Sequence, residues 1–323
     1  MRAMVRKQFG GPEVLEVQTM PDPVAKPGYV LIEVRALGLN RAELYMRQGL
    51  WGDVSAISGI ECVGEVRDDP SGNLRPGQKV AALMGGMGRS IAGSYASLVL
   101  VPEANVFPLT TSLAWEVLAA IPESYATAWS CLHRNLQIQA GQRLLIRGGS
   151  SGLGRAATDL AIRHGLEVIV TTRNPDRAKH LSQNGLVRVL QSLPLQSTVE
   201  GWDGPVDAVL DLVGNSTLLD SLSLCKTGGR VCQAGFLGGL AAIDGFNPLT
   251  QMPSGVQLSF FGSFTFGSKD FPLTDVPLQS IVTDVERGKL NGRPARVFPF
   301  DAIPQAHALM EKNQANGKLV VLL

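Results

Sequence analysis

The spacing of apolar and polar positions changes character along the chain. In the first third, YVLIEVRAL (29–37), CVGEV (62–66), QKVAAL (78–83) and YASLVLVP (95–102) alternate or run apolar. Turn signals such as Lys26-Pro27-Gly28 and Pro76-Gly77 separate them, so the pattern predicts short strands. Between two of them, NRAELYMRQGL (40–50) predicts a short helix, with Asn40 as N-cap and Glu43 three residues on. From about residue 116 strand-like and helix-like segments alternate. RLLIR (143–147), EVIVTT (167–172), VDAVLDLVG (206–214) and GRVCQAG (229–235) predict strands, and GRAATDLAIRHG (154–165), DRAKHLSQNG (176–185) and a segment from about 216 predict helices. This alternation, with apolar strands, predicts an α/β region built on a doubly wound parallel sheet. The tail is mixed: a strand over 256–264, helices over 274–288 and 304–317, and a closing strand KLVVLL (318–323).

Composition narrows the class. With 323 residues the chain exceeds the usual single-domain size, and 45% hydrophobic against 18% charged residues is enough for a large core. Lys+Arg total 29 against 28 Asp+Glu, and this balance points away from nucleic-acid or anionic-membrane binding. The start, MRAMVRKQFGG, lacks the apolar stretch of a secretory signal, and no apolar run reaches spanning length. Cys62, Cys131, Cys225 and Cys232 form no CxxC pair and read as reduced core thiols, which with the preceding points predicts a cytoplasmic protein.

The segment IRGGSSGLGR (146–155) follows a strand and opens a helix. That is the setting in which glycines let the chain turn and helix N-terminal amides face a pyrophosphate. Gly148, Ser150, Ser151, Gly152, Leu153 and Gly154 are therefore candidate cofactor contacts. Ser151 replaces the middle glycine of a strict G-x-G-x-x-G. The spacing of Gly148, Gly152 and Gly154 also fits a short-chain reductase loop, but that class has its loop near the N-terminus. It also needs Tyr-x-x-x-Lys, which none of Tyr29, Tyr45, Tyr95 or Tyr125 begins. After the second strand an NAD enzyme carries Asp or Glu for the ribose 2′-hydroxyl. Here the strand ends TTRNPDR (171–177), so Arg173, Asn174 and Arg177 stand there instead. Guanidinium groups pair with a phosphate and gain little from a bare hydroxyl. The cofactor indicated is NADPH.

Four stretches, LGLNRAELYMRQGLW (37–51), AAIPESYATAWSCL (119–132), GGSSGLG (148–154) and AHALMEKNQANGKLVVL (306–322), carry a resemblance that runs from end to end. The chain resembles the medium-chain dehydrogenase/reductase superfamily and, within it, the zinc-free quinone oxidoreductase branch. The resemblance implies a mostly-β GroES-like catalytic domain (1–115 and 266–323) around an inserted Rossmann domain (116–265). It further implies a homodimer formed edge to edge through the 256–264 strand. Zinc relatives place Gly-His-Glu where this chain has Gly59-Ile60-Glu61 and a Cys where it has Asn40, and the lobe MGGMGRSIAGSYAS (84–97) has no Cys. Three ligands cannot be assembled, so no metal site is expected. Cys62 reads as a core residue and Glu61 as a structural carboxylate.

Without a metal to polarise an alcohol or carbonyl, hydride suits acceptors that are already electrophilic. The resemblance implies an NADPH-dependent reductase of quinones, with enones or enals as the alternative acceptors. Members of the branch also serve as low-turnover lens structural or RNA-binding proteins; the neutral charge and the cofactor motifs weigh against that class here. Asn40 and Tyr45 match polar cleft positions of the family and are candidate catalytic donors to the acceptor oxygen, the competing readings being an N-cap and a packing residue. Trp51 stands where relatives often have Tyr and reads as a substrate wall without the phenol. Further cofactor contacts carried over by motif are Thr127, Val213, Gly214, Gly235, Phe236, Ser263, Phe264, Thr265 and Lys318, the competing reading of Lys318 being a helix cap. An Asn-Tyr pair that helps to hold the adenosine phosphate in relatives is missing from VRVLQSLPLQ (187–196), which leaves Arg173 and Arg177 to hold it. The histidines (His133, His164, His180, His307) lie in helical contexts and receive no catalytic role.

Overall fold

The computed structural model describes residues 1–181, 187–190 and 204–323. In chain order its elements are β1 (Arg2–Arg6), β2 (Leu15–Thr19), β3 (Tyr29–Leu39), α1 (Arg41–Gln48), β4 (Glu61–Asp68), β5 (Lys79–Leu83), β6 (Leu98–Pro102) and β7 (Val106–Pro108). Then come α2 (Trp115–Leu118), α3 (Pro122–Ser130), β8 (Arg143–Arg147), α4 (Gly152–Arg163), β9 (Glu167–Thr171), α5 (Pro175–Leu181), β10 (Val187–Leu190), β11 (Val206–Asp211), α6 (Asn215–Ser223) and β12 (Cys225–Gln233). The chain ends with α7 (Pro248–Gln251), β13 (Gln257–Phe260), α8 (Leu278–Glu286), β14 (Arg296–Pro299), α9 (Ile303–Glu311) and β15 (Leu319–Leu322). These form two compact units, Met1–Ala126 with Ser263–Leu323, and Thr127–Gly262.

In the first unit, one sheet runs β14-β15-β3-β4-β5-β7, with β6 also on β3, and β1–β2 form a separate hairpin. The long strand β3 is the spine. It pairs antiparallel with β15 at one end, Leu319 facing Leu39, and with β4 along the other side. Its apolar residues enter a core that includes Ile32, Leu37, Leu44, Val80, Tyr95, Val101, Phe298 and Val321. Burial of this apolar set drives the pairing of segments far apart in sequence.

The second unit is a wholly parallel sheet in the order β10-β9-β8-β11-β12-β13. That is the doubly wound Rossmann order, whose reversal between β8 and β11 leaves a crevice at the strand carboxyl ends. The α/β fold with its inserted parallel sheet is as the sequence predicts. Two local expectations are corrected. The strand expected over 256–264 stops at Phe260, and Ser263–Thr265 form a 3₁₀ turn. The helix expected to begin at 154 starts at Gly152, because Ser151 caps it.

Candidate active site

In the second unit the phosphate-loop candidates are tied together locally. Gly148 has φ +79, open to glycine. A Cβ on Gly154 would come within 2.5 Å of Gly148 O, so the helix start packs directly on the loop. Ser151, the departure from the strict fingerprint, has a structural reason. Its Oγ accepts from Gly154 N at 3.0 Å and donates to Gly148 O at 2.8 Å, capping α4 and closing the loop. Leu153 follows in the first turn and Ser150 is buried.

At the end of β9, Arg173 is exposed and Arg177 partly buried. Burial and the charge of Arg173 lower the Arg177 pKa. Burial, together with the charge of Arg177, likewise lowers that of Arg155 on α4, against a raising effect of Asp159. Arg155 was not among the sequence candidates, although it directly follows the last glycine of the loop. Its relation to Arg177 depends on how α4 lies against the end of β9, which no motif encodes. Asn174 caps α5, its Oδ1 accepting from Asp176 N at 2.9 Å and Arg177 N at 3.2 Å. Of VRVLQSLPLQ, the residues beyond Leu190 lie outside the described residues, as do 182–185 of the expected 176–185 helix.

The ends of β11 and β12 also meet. The Asp211 carboxylate accepts from Val213 N and Gly214 N, each at 2.9 Å, and from the Thr217 and Ser221 hydroxyls. A Cβ on Gly214 would lie 2.7 Å from Gly235 O and 3.2 Å from the Phe236 ring. Val213, Gly214, Gly235 and Phe236 are thus brought together, and Leu237 reaches Gly148. Thr127 is buried on α3.

In the first unit Asn40 precedes α1, and Tyr45 follows on the same helix. Trp51 is partly buried in the bend after the left-handed cap at Gly49. The guanidinium of Arg89 lies 5.5 Å over the exposed Phe264 ring, which shares its 3₁₀ turn with Ser263 and Thr265. Asn40 is the N-cap of α1 and forms the expected capping box with Glu43. Glu43 accepts from Asn40 N at 2.7 Å, while the Asn40 amide turns to Glu61 and Lys318. Nδ2 donates to Glu61 Oε1 at 2.9 Å and Oδ1 accepts from Lys318 Nζ at 2.7 Å. Lys318 also pairs directly with Glu61, whose second oxygen accepts from Glu123 N at 2.9 Å. Burial opposes the charge on Lys318, but Glu61, Glu123 and Glu43 outweigh it and its pKa stands above the ordinary value.

Behind this group lies a buried chain that sequence reading missed. Tyr95 Oη stands 2.7 Å from Glu43 Oε2 and 2.8 Å from His307 Nε2. When Glu43 is ionised, Tyr95 donates to it and neutral His307 donates Nε2–H to Tyr95. Burial pushes Glu43 up to about 7, against the hydrogen bonds from Asn40 N, Tyr95 and Ile60 N and the charge of Lys318. Burial, then the Arg47 charge, pushes His307 down to about 3. Because folding raises the Glu43 pKa, its stabilising effect is full below about 4.3, the ordinary value, and is lost as pH rises through 7. His307 acts oppositely: its contribution is present above about 6.5 and is lost as pH falls toward 3. Glu43→Gln should therefore lose stability relative to wild type most at acid pH. The gap should narrow by about 3 kcal/mol between pH 4.5 and 7.5 in denaturant melts. A gap that does not change with pH would refute the raised Glu43 pKa.

Comparison with known proteins places the whole chain. Residues 26–111 match the alcohol dehydrogenase GroES-like domain and residues 188–321 match a family described as zinc-binding dehydrogenase. Mouse quinone oxidoreductase is 28% identical over 336 residues, covering 100% of this chain and 98% of the relative. The chain belongs to the medium-chain dehydrogenase/reductase superfamily. Solved structures of superfamily fold cover it from end to end. An NAD-dependent alcohol dehydrogenase superposes with a TM-score of 0.83 at 25% identity, covering 100% of both chains. The CurK enoyl reductase gives 0.82 at 22%, over 99% of this chain and 98% of that one. A mycobacterial protein complexed with NADPH gives 0.85 at 22%, over 100% of both.

The zinc in one matched description does not fit this superfamily member. Asn40 is committed to Lys318 and Glu61, Ile60 is a buried hydrocarbon, and burial and Glu61 push the Cys62 thiol up. An ammonium rather than a cation-binding vacancy faces Glu61. Among the described residues no three His, Cys, Asp or Glu side chains gather to hold a metal. Nor is any helix among them long and apolar enough to cross a membrane.

Proposed function

We propose that the chain is an NADPH-dependent, zinc-independent reductase of quinones. The observation that carries the reading is the arginine group at the end of β9, with Arg173 and Arg177 where an NAD enzyme would carry a carboxylate. Like-charged guanidinium groups held near one another repel, and a 2′-phosphate relieves that repulsion. Gly148, Ser150, Ser151, Gly152, Leu153 and Gly154 would cradle the pyrophosphate at the start of α4. Arg173, Arg177 and the backbone around Asn174 would hold the 2′-phosphate. Thr127, Val213, Gly214, Gly235, Phe236 and the Ser263–Thr265 turn are proposed as contacts toward the nicotinamide.

Bound reduced nicotinamide supplies the hydride. This chain's own contribution is at the acceptor. As the acceptor's electron pair settles on its oxygen, the Asn40 amide and the Tyr45 hydroxyl are donors that stabilise the negative charge. Trp51 forms an apolar wall. The fixed Asn40 amide also favours a second reading, reduction of enones or enals, because an enolate needs such a donor. The same proposal has two copies pair through β13, the outer strand of its sheet, which exposes Leu258 and Phe260. The test of the function is NADPH turnover with a panel of quinones and enones.

A further inference from the structure

Lys318, which the family motif offers as a cofactor contact, is instead a buried cation held by Glu61 and Asn40. Leu319 pairs with Leu39 across β15 and β3, so the preceding Lys318 lies beside Asn40. Glu61 opens β4 on the opposite side of β3. Between them Gly38 has no side chain, and a Cβ there would come within 2.5 Å of both Lys318 Cε and Glu61 Oε1. The spine strand is hollowed where the pair passes behind it.

This arrangement fixes the Asn40 amide. An ammonium only donates, so Oδ1 must face Lys318; a carboxylate only accepts, so Nδ2 must face Glu61. One Nδ2–H is used at 2.9 Å, and among the described residues the other has only Gly38 O at 3.5 Å, too long for a strong bond. That second N–H is the one able to turn to an incoming oxygen. Lys318 is 7% exposed, whereas Asn40 is partly exposed, so the lysine acts through the amide.

We propose that Lys318 is a positioning residue for the reduction, locking the Asn40 amide with Glu61 and holding a positive charge one hydrogen bond behind the donor. An ammonium bound to Oδ1 draws electron density from the amide and strengthens the N–H as a donor. The effect grows as negative charge builds on the acceptor oxygen, so it belongs to the transition state rather than to binding. The inference rests on the reductase reading and deepens it at Asn40.

Removing Lys318 alone would strand a buried carboxylate, so the informative variant is the double Lys318→Met/Glu61→Gln, which discharges the pair together. In the full chain its NADPH Kd should stay within about 3-fold of wild type, while kcat for an enone falls about 10- to 100-fold. A second readout needs no turnover. With NADP⁺ present, the wild type should bind p-nitrophenolate, a stable oxyanion, about 10-fold or more tightly than the double variant. Gly38→Ala, which keeps both charges but crowds them, should weaken phenolate binding in the same direction. A folded double variant with wild-type kcat and wild-type phenolate affinity overturns the proposal, as does a wild type that binds no phenolate. Loss of NADPH affinity with kcat unchanged would make Lys318 a cofactor ligand and also overturn it. A wild type that turns over no quinone or enone sinks the reductase reading, and the phenolate titration still decides the role of Lys318.

Discussion

Replacing Arg173 and Arg177 together by alanine should raise the NADPH Kd by about 10²- to 10⁴-fold and leave NADH within about 3-fold. A charge-assisted hydrogen bond contributes about 1.5–3 kcal/mol, so each arginine accounts for roughly 10- to 100-fold. Arg173 is exposed and water screens its charge, which places Arg173→Ala at the lower end. Arg177 is partly buried beside two like charges, Arg173 and Arg155, and its single variant should cost more. NADH has no 2′-phosphate, so it meets the group only with a hydroxyl. Fluorescence titration of both nucleotides checks this, and equal weakening of the two would refute the phosphate role.

Tyr45→Phe is expected to lower kcat/KM for an enone by about 10- to 1,000-fold, the upper end being the cost of losing an oxyanion donor. A quinone should lose less, because it spreads the developing charge over its ring. Tyr45 and Asn40 belong to one short helical segment, closed by the left-handed Gly49, so the two donors keep a fixed relation. NADPH affinity should hold constant, since Tyr45 lies outside the nucleotide loops. Steady-state kinetics with one acceptor of each class measures the split. Unchanged turnover of both would mean that Tyr45 only packs.

The parts legible in the sequence were those set by local rules. Strand alternation and the glycines of 148–154 are short-range patterns, and they predict the parallel sheet and the tight turn into α4 that the structure shows. Ser151 looked like a defect in a fingerprint because an N-cap is recognised only when the helix start is known; the helix begins at Gly152. Asn40 is the N-cap that the local pattern predicts, but no nearby residue shows that its Oδ1 also accepts from Lys318, 278 residues away. Glu61 read as a structural carboxylate, and nothing near it in sequence points to the lysine that meets it. The Tyr95–His307 contact spans 212 residues. The Lys318–Asn40 pair arises from the antiparallel joining of β15 to β3, whose register no single segment encodes, and the Tyr95–His307 contact depends on where α9 packs. Arg155 escaped notice because its bearing on Arg177 is a matter of helix placement.

The proposed function requires reduction of electrophilic acceptors with NADPH and without a metal. The most direct measurement is NADPH and NADH oxidation by chelator-treated, metal-analysed protein across a panel of quinones and enones, scored as kcat/KM. The proposed reductase should carry no stoichiometric zinc, turn over undiminished after chelation, and prefer NADPH by about 10-fold or more with at least one acceptor class. Turnover that depends on one zinc per chain, or equal use of the two nucleotides, would contradict it.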